Sequence, residues 1–207
     1  MSENGEYFPG SPARMILAGS AFARHTSIPH RRHAMQLHSK SIPSPVGRLT
    51  LVASAEGLTA VLWENERPDR VSPGGAAARG RSSVLQAAER QLGEYFSGRR
   101  RVFSVPLVPS GTPFQRQVWS ALSTIPCGET RSYAQIARQI GRPRAVRAVG
   151  AAIGRNPLSI FIPCHRVIGA DGSLTGFAGG LAIKTRLLEL EGVELRLTQA
   201  AHPSRRP

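Results

Sequence analysis

Two hydrophobic periods divide this chain. From Ser41 the alternation is that of strands: Leu49 to Ser54 and Leu58 to Trp63 are short apolar runs joined by Ala55-Glu56-Gly57, a hairpin signal with a three-residue connection. Pro43 and Pro45 keep the entry to the hairpin irregular. The Gly-, Pro- and Ala-rich stretch 67–81 reads as loop. Ser82 or Ser83 can then cap a helix in which Leu85, Ala88, Leu92 and Phe96 recur at helical spacing, with Gly98 as its stop. Past the charged corner Arg99-Arg100-Arg101, the residues Phe103, Val105 and Leu107 alternate as a strand. The pattern therefore predicts a small three-stranded sheet with one helix over residues 36–108.

After Ser110-Gly111 the apolar positions adopt the helical period. Thr112 as cap and Pro113 at the first helical position start a helix carrying Phe114, Val118 and Leu122 on one stripe. Ser132 caps a shorter helix with Tyr133, Ile136, Ala137 and Ile140 on one face; Gly141 ends it, and Pro143 can begin the next. Two helices so closely joined predict a helix-turn-helix. On the second helix Val146, Val149 and Ile153 should pack inward, while Arg144, Arg147, Ala148, Ala151 and Arg155 form a face that is basic but otherwise almost bare. Asn156-Pro157 breaks that helix, because a residue before proline avoids helical angles. The run Leu158 to Ile162 then reads as a buried strand stopped by Pro163, and a last helix spans Leu181 to Leu190 before Gly192. The expected fold is an α/β N-terminal domain followed by a mainly α C-terminal domain, 110–193, containing the helix-turn-helix. Residues 1–34 mix Gly, Pro, Ser, His and Arg without periodicity and read as a disordered extension, and 194–207 as a tail.

Charge narrows the partners. The formal net charge is +14, and of the 27 Lys and Arg residues all but Lys40 and Lys184 are arginine. Such an excess suits a polyanion, and arginine in particular suits phosphate contacts and base stacking. Small residues on a basic helix face let it approach a nucleic-acid backbone closely. No stretch approaches the ~18 to 20 apolar residues of a membrane span. Met15 to Ala23 has signal-peptide size, but Glu3 and Glu6 spoil the basic leader it would need. The two cysteines, Cys127 and Cys164, form no C-x-x-C, and no histidine cluster has metal spacing, so a metal site is not expected.

Candidate chemistry centres on Pro163-Cys164-His165-Arg166. A thiol is a poor nucleophile until ionised, and a neighbouring histidine with added positive field from Arg166 is a usual way to lower its pKa. Consecutive strand residues face opposite ways, so Cys164 and His165 cooperate only if the chain turns there or a water bridges them. Cys127, in the turn Pro126-Cys127-Gly128, has no base near it in sequence.

The string Pro163 to Gly169 resembles the active-site signature of the O6-alkylguanine-DNA alkyltransferases. Gly128 to Tyr133, Ala145 to Pro157, Gly176 to Leu181 and Leu187 to Gly192 resemble the family's other blocks, in order and at family spacing. The likeness is close over the C-terminal domain and looser over the N-terminal one. It begins near Met35, which raises the expectation that Met35 is the true start.

The resemblance implies a set of roles. Cys164 would accept the alkyl group, activated through a water by His165, which Glu191 orients. Tyr133 would hydrogen-bond or protonate the departing guanine, and Asn156 would hold the turn to the active-site loop. Ser159, the Val167 carbonyl, Phe177 and the Ala178 backbone N–H would line the guanine pocket. Phe177 stands where many relatives carry Tyr, which keeps a ring and loses a hydroxyl. Arg144, Ala145, Arg147, Ala148, Ala151 and Arg155 would meet DNA in the minor groove, with Arg147 filling the stack after the base is flipped out. The implied protein is a single-turnover repair transferase acting on double-stranded DNA with O6-alkylguanine, a cytoplasmic monomer without cofactor. Its rivals are a binding module, which would lack the cysteine and usually carry Trp at the reactive position; a transcriptional regulator, which would need an additional cysteine-rich zinc domain; and a thiol hydrolase, which would use separated Cys, His and Asn.

Overall fold

The computed structural model describes residues 36–65, 67, 69–71, 77–80 and 82–194. The predicted N-terminal extension, its signal-sized run and the tail beyond Glu194 lie outside the described residues.

The sheet has four strands rather than three. Strands β1 (Leu37–Ile42), β2 (Leu49–Ala53), β3 (Leu58–Trp63) and β4 (Ala77–Arg79) lie in the order β3-β2-β1-β4. The β2–β3 hairpin is as expected, with Leu51 opposite Val61. Its other neighbour is β1, antiparallel, with Lys40 opposite Leu51, and β4 adds to β1 in parallel. The alternation at Phe103, Val105 and Leu107 correctly predicts burial but not a strand. Pro106 has no N–H to give a ladder, so this stretch makes only one bridge, Leu58 to Leu107. It is held instead by Gln91, whose side chain donates to Ser104 Oγ and accepts from Ser104 N, each at 2.8 Å.

The helices follow the predicted punctuation closely. Helix α1 (Ser83–Phe96) takes Ser82 as its cap, and α2 (Pro113–Leu122) has the Thr112–Gln115 capping box. Helix α3 (Tyr133–Gln139) has a second box, Ser132–Gln135, and ends where Gly141 turns to φ 72°, so that Arg142 N reaches back to Ala137 O at 2.8 Å. Two-residue strands β5 (Arg131–Ser132) and β6 (Val167–Ile168) pair in parallel beside it. Helix α4 (Val146–Gly154) starts three residues later than Pro143 predicts. Arg144 and Ala145 therefore sit in the turn before it, Ala145 as its cap. Helix α5 (Leu181–Leu190) closes the described chain. Among the described residues, no helix is long and apolar enough to cross a membrane.

One hydrophobic cluster runs through both halves. It joins Leu51, Leu58 and Val61 of the sheet to Leu85, Leu92 and Tyr95 of α1, then to Trp119, Ile136, Val149, Phe161 and Leu187. Trp119 is 1% exposed and its Nε1 donates to Ala152 O at 2.8 Å, which pins α4 on α2. Val149 and Ile153 face inward as predicted, while Arg147, Ala148 and Ala151 are exposed. Residues 158–162 are no strand. Val61 N donates to Pro157 O at 2.8 Å, but the chain then folds into a buried turn, Ile162 N bonding Leu158 O at 2.8 Å. Ile160 takes φ 76°, a strained value for a β-branched residue that the surrounding core imposes.

Candidate active site

Asn156 organises that turn. Its side chain is fully buried, donates from Nδ2 to Ile162 O at 2.9 Å and accepts from Leu158 N at Oδ1 at 3.0 Å. These two bonds tie Leu158 to Ile162 across the turn. Pro163, at φ −79° and ψ 64°, makes an inverse γ-turn, with Cys164 N bonded to Ile162 O at 2.8 Å. A single 3₁₀ turn, Cys164–Arg166, follows. The chain thus turns at Cys164, which the strand reading left as one of two conditions for Cys164 and His165 to cooperate.

Cys164 is 5% exposed and its Sγ lies 4.0 Å from Ser159 Oγ. Burial pushes its thiol pKa up, against hydrogen bonds from Asn156 and Ser159 and the charges of Arg70 and Lys184. The guanidinium of Arg166, expected to add positive field at the thiol, makes its hydrogen bonds to Glu191 and Ile125. At rest the thiol holds its proton.

Arg166 instead forks onto Glu191, Nε to Oε2 at 2.8 Å and Nη2 to Oε1 at 2.9 Å, with Nη1 on Ile125 O at 2.6 Å. His165 Nε2 meets the same Oε1 at 2.8 Å, and the Tyr95 hydroxyl donates to it at 2.7 Å. Glu191 caps α5, and a carboxylate at a helix C-terminus is disfavoured by the dipole. Burial alone would raise its pKa, but the hydrogen bonds from His165 and Arg166 and the charge of Arg166 outweigh burial and hold it well below the usual carboxylate range. His165 is fully buried. Burial, reinforced by Arg166 and Lys184, lowers its pKa despite Glu191. A neutral imidazole facing a carboxylate places its proton on Nε2, leaving Nδ1 as a lone pair. Nδ1 is buried and has no hydrogen-bond partner among the described residues.

Lys184 lies under the loop before α5, fully buried, with Nζ donating to Val167 O at 2.5 Å and Thr175 O at 3.0 Å. Burial brings its pKa down to about 8. The Val167 carbonyl, expected to receive a base, thus already has a donor.

A cavity of about 540 Å³ opens beside this cluster, lined by Arg70, Tyr133, Ile153, Arg155, Phe177 and Ala178 among others. The Tyr133 hydroxyl is 2.8 Å from Thr175 Oγ1. Phe177 stacks edge-on between Trp63, at 5.5 Å, and His165, at 6.5 Å. A Cβ at Gly179 would come within 3.1 Å of the Trp63 ring, so the indole would have to shift by a few tenths of an ångström to admit one. Arg70 donates to Asn156 O at 2.6 Å and so links the N-terminal half to the cavity wall. Cys164, Ser159, Val167 and Arg147 are not among the lining residues: the first three are buried, and Arg147 stands exposed on α4.

Tyr95, Arg70 and Lys184 escaped the sequence reading. Two of them carry a signal. Tyr95 continues the Leu85, Ala88, Leu92 stripe, where a buried hydroxyl needs a partner, and Lys184 shares a helix face with Leu187 and Leu188. Arg70 lies in a stretch that reads as loop and carries none.

Two family models match. Residues 37–109 match the ribonuclease-like domain, and 113–193 the DNA binding domain, of 6-O-methylguanine DNA methyltransferase. The chain is 48% identical over 149 residues to a methylated-DNA–protein-cysteine methyltransferase of Methanosarcina acetivorans, covering 72% of this chain and 94% of that protein. It is 49% identical over 161 residues to the one from Mycobacterium bovis, covering 75% and 92%. The crystal structure of Mycobacterium tuberculosis OGT in complex with DNA superposes with a TM-score of 0.67 at 47% identity, covering 74% of this chain and 92% of that one. With both family segments matched in order around a buried cysteine, a histidine and a glutamate, the chain belongs to the 6-O-methylguanine DNA methyltransferase family.

Proposed function

We propose that the protein repairs DNA by direct reversal, taking the alkyl group of O6-alkylguanine onto Cys164 once per molecule. The observation that carries this reading is the Glu191–His165 pair behind Cys164, in which Nε2 is bound and Nδ1 is left as a base. The thiol proton passes through a bridging water to His165 Nδ1. The thiolate attacks the alkyl carbon, forming the S–C bond as the O6–C bond breaks, and guanine leaves as an anion that Tyr133 hydrogen-bonds or protonates. No group in the site can hydrolyse a thioether, so the protein is consumed. No cofactor takes part.

An alkyl carbon on O6 is out of reach of a thiol inside paired DNA, so the base is flipped out, at a few kcal/mol. Helices α3 and α4 act as a helix-turn-helix, with α4 in the minor groove. The exposed face of Arg147, Ala148, Ala151 and Arg155, with Arg144 and Ala145 at its approach, supports this reading. Arg147 fills the vacated stack. Ser159 holds the thiolate, Phe177 packs on the base, and the Ala178 N–H and Val167 carbonyl meet its edge. The protein works as a cytoplasmic monomer.

Intact and peptide mass after incubation with excess duplex bearing one O6-methylguanine tests the reading. One methyl per protein is expected, on Cys164 and absent from Cys164→Ser; unmodified protein that still shields the lesion would make it a binding module.

A further inference from the structure

The N-terminal half reaches the chemistry through one hydroxyl. Tyr95 lies on α1, is 2% exposed and donates to Glu191 Oε1, the same oxygen that takes His165 Nε2. Its ring is held by Phe96 and Phe103, each 5.4 Å away, so the hydroxyl has little freedom to leave. We propose that Tyr95 is a positioning residue for alkyl transfer: its hydroxyl fixes the Glu191 carboxylate and shares its charge, which keeps His165 neutral with Nδ1 open to the thiol proton. The inference rests on the alkyl-transfer reading above.

The argument turns on how the charge of one oxygen is divided. Oε1 accepts from Tyr95, His165 and Arg166, while Oε2 accepts from Arg166 and, at 3.5 Å, from Gly128 N. The charged or titratable groups around the cluster are Arg166 beside His165, Lys184 from α5, Cys127 from the turn before β5, and Tyr95 itself. Arg166 keeps its charge throughout. Burial and the neighbouring Glu191 push the phenol far above its ordinary range, so Tyr95 keeps its proton too. Within the Tyr95, His165 and Glu191 triad, only His165 changes charge during the reaction. Removing the phenol hydroxyl leaves more of the carboxylate's charge for the imidazole, which favours the imidazolium. A histidine already protonated cannot take the thiol proton.

The test is the single-turnover rate of methyl transfer, at saturating methylated duplex, as a function of pH for native protein and Tyr95→Phe. The variant keeps the ring but loses a buried hydrogen bond to a carboxylate, so it should fold and melt several degrees below the native protein. Its acid limb is expected at higher pH, lowering the ratio of the rate at pH 5.5 to that at pH 8 by about threefold or more, the share of one hydrogen bond to a charged group. Superimposable profiles would overturn the inference. In native protein, NMR should also show a slowly exchanging Tyr95 hydroxyl proton with an NOE to the His165 Nε2 proton; its absence overturns the inference even if the variant does not fold. A native protein that transfers no methyl at any pH would sink the alkyl-transfer reading, a different outcome from equal profiles.

Discussion

The ammonium of Lys184 lies 2.5 Å from the carbonyl oxygen of Val167, buried beneath the loop that carries Phe177 and Ala178. A cation held in that position ties α5 to β6 and to Thr175, and it places positive charge near the thiol.

Lys184 therefore makes stability depend on alkaline pH. Folding lowers its pKa from 10.5 to about 8, so between these values the unfolded chain binds more protons, and this group's contribution grows as pH rises. Lys184→Met removes that dependence. Urea unfolding should show the gap between native and variant moving in favour of the native protein across the window; a gap that stays flat contradicts the assignment.

Glu191 acts with the same sign in a more acidic window. Its folded pKa lies below the ordinary 4.5, so its contribution is complete above that pH and is lost as pH falls through the folded value. Glu191→Gln should flatten the acid limb of the stability curve. It should also cost about 3 to 5 kcal/mol at neutral pH, because Arg166 is left buried without its counter-charge. Chemical denaturation from pH 7 down to pH 3 measures both effects.

Asn156 makes two buried hydrogen bonds across the turn. Asn156→Ala leaves Leu158 N and Ile162 O unsatisfied, at a cost of about 2 to 4 kcal/mol. The melting temperature should fall by roughly 5 to 15 °C. Asn156→Asp keeps the acceptor and loses the donor, so calorimetry should place it below native as well, and a native-like melt for either variant would remove Asn156 from this role.

Arg147 is exposed, and Arg147→Ala should leave the melting temperature within about 1 °C of native, as for other surface changes. If the side chain fills the stack, the variant's transfer rate should fall more on fully paired duplex than on single-stranded DNA with the same lesion. The slope of log affinity against log salt should drop by about one. Equal losses on both substrates would mean a phosphate contact only.

Helices were the most legible part of the chain, because Ser82, Thr112, Ser132, Gly98, Gly141 and Gly192 mark their ends by local chemistry. Strands depend on distant partners and were read less well. Strand β1 carries His38, Ser39, Lys40 and Ser41 between its two apolar ends, and β4 is only Ala77-Ala78-Arg79, so neither has a clear alternation. Leu158 to Ile162 looked like a strand because a buried turn and a buried strand are equally apolar. The positive φ of Ile160 leaves no mark in sequence. At the site, Cys164, His165 and Glu191 were legible through a family signature. Tyr95 and Arg70 act from elements far away in sequence, and their contacts are visible only once the two halves pack together.

The two thiols also differ in what they expose to the surroundings. Cys127 is half-buried, whereas Cys164 is buried with 5% of its surface exposed. A bulky disulfide reagent or a passing oxidant would meet Cys127 and miss Cys164. Selectivity of this kind comes from access rather than reactivity, so Cys164 is shielded from casual oxidation for as long as the fold keeps it buried.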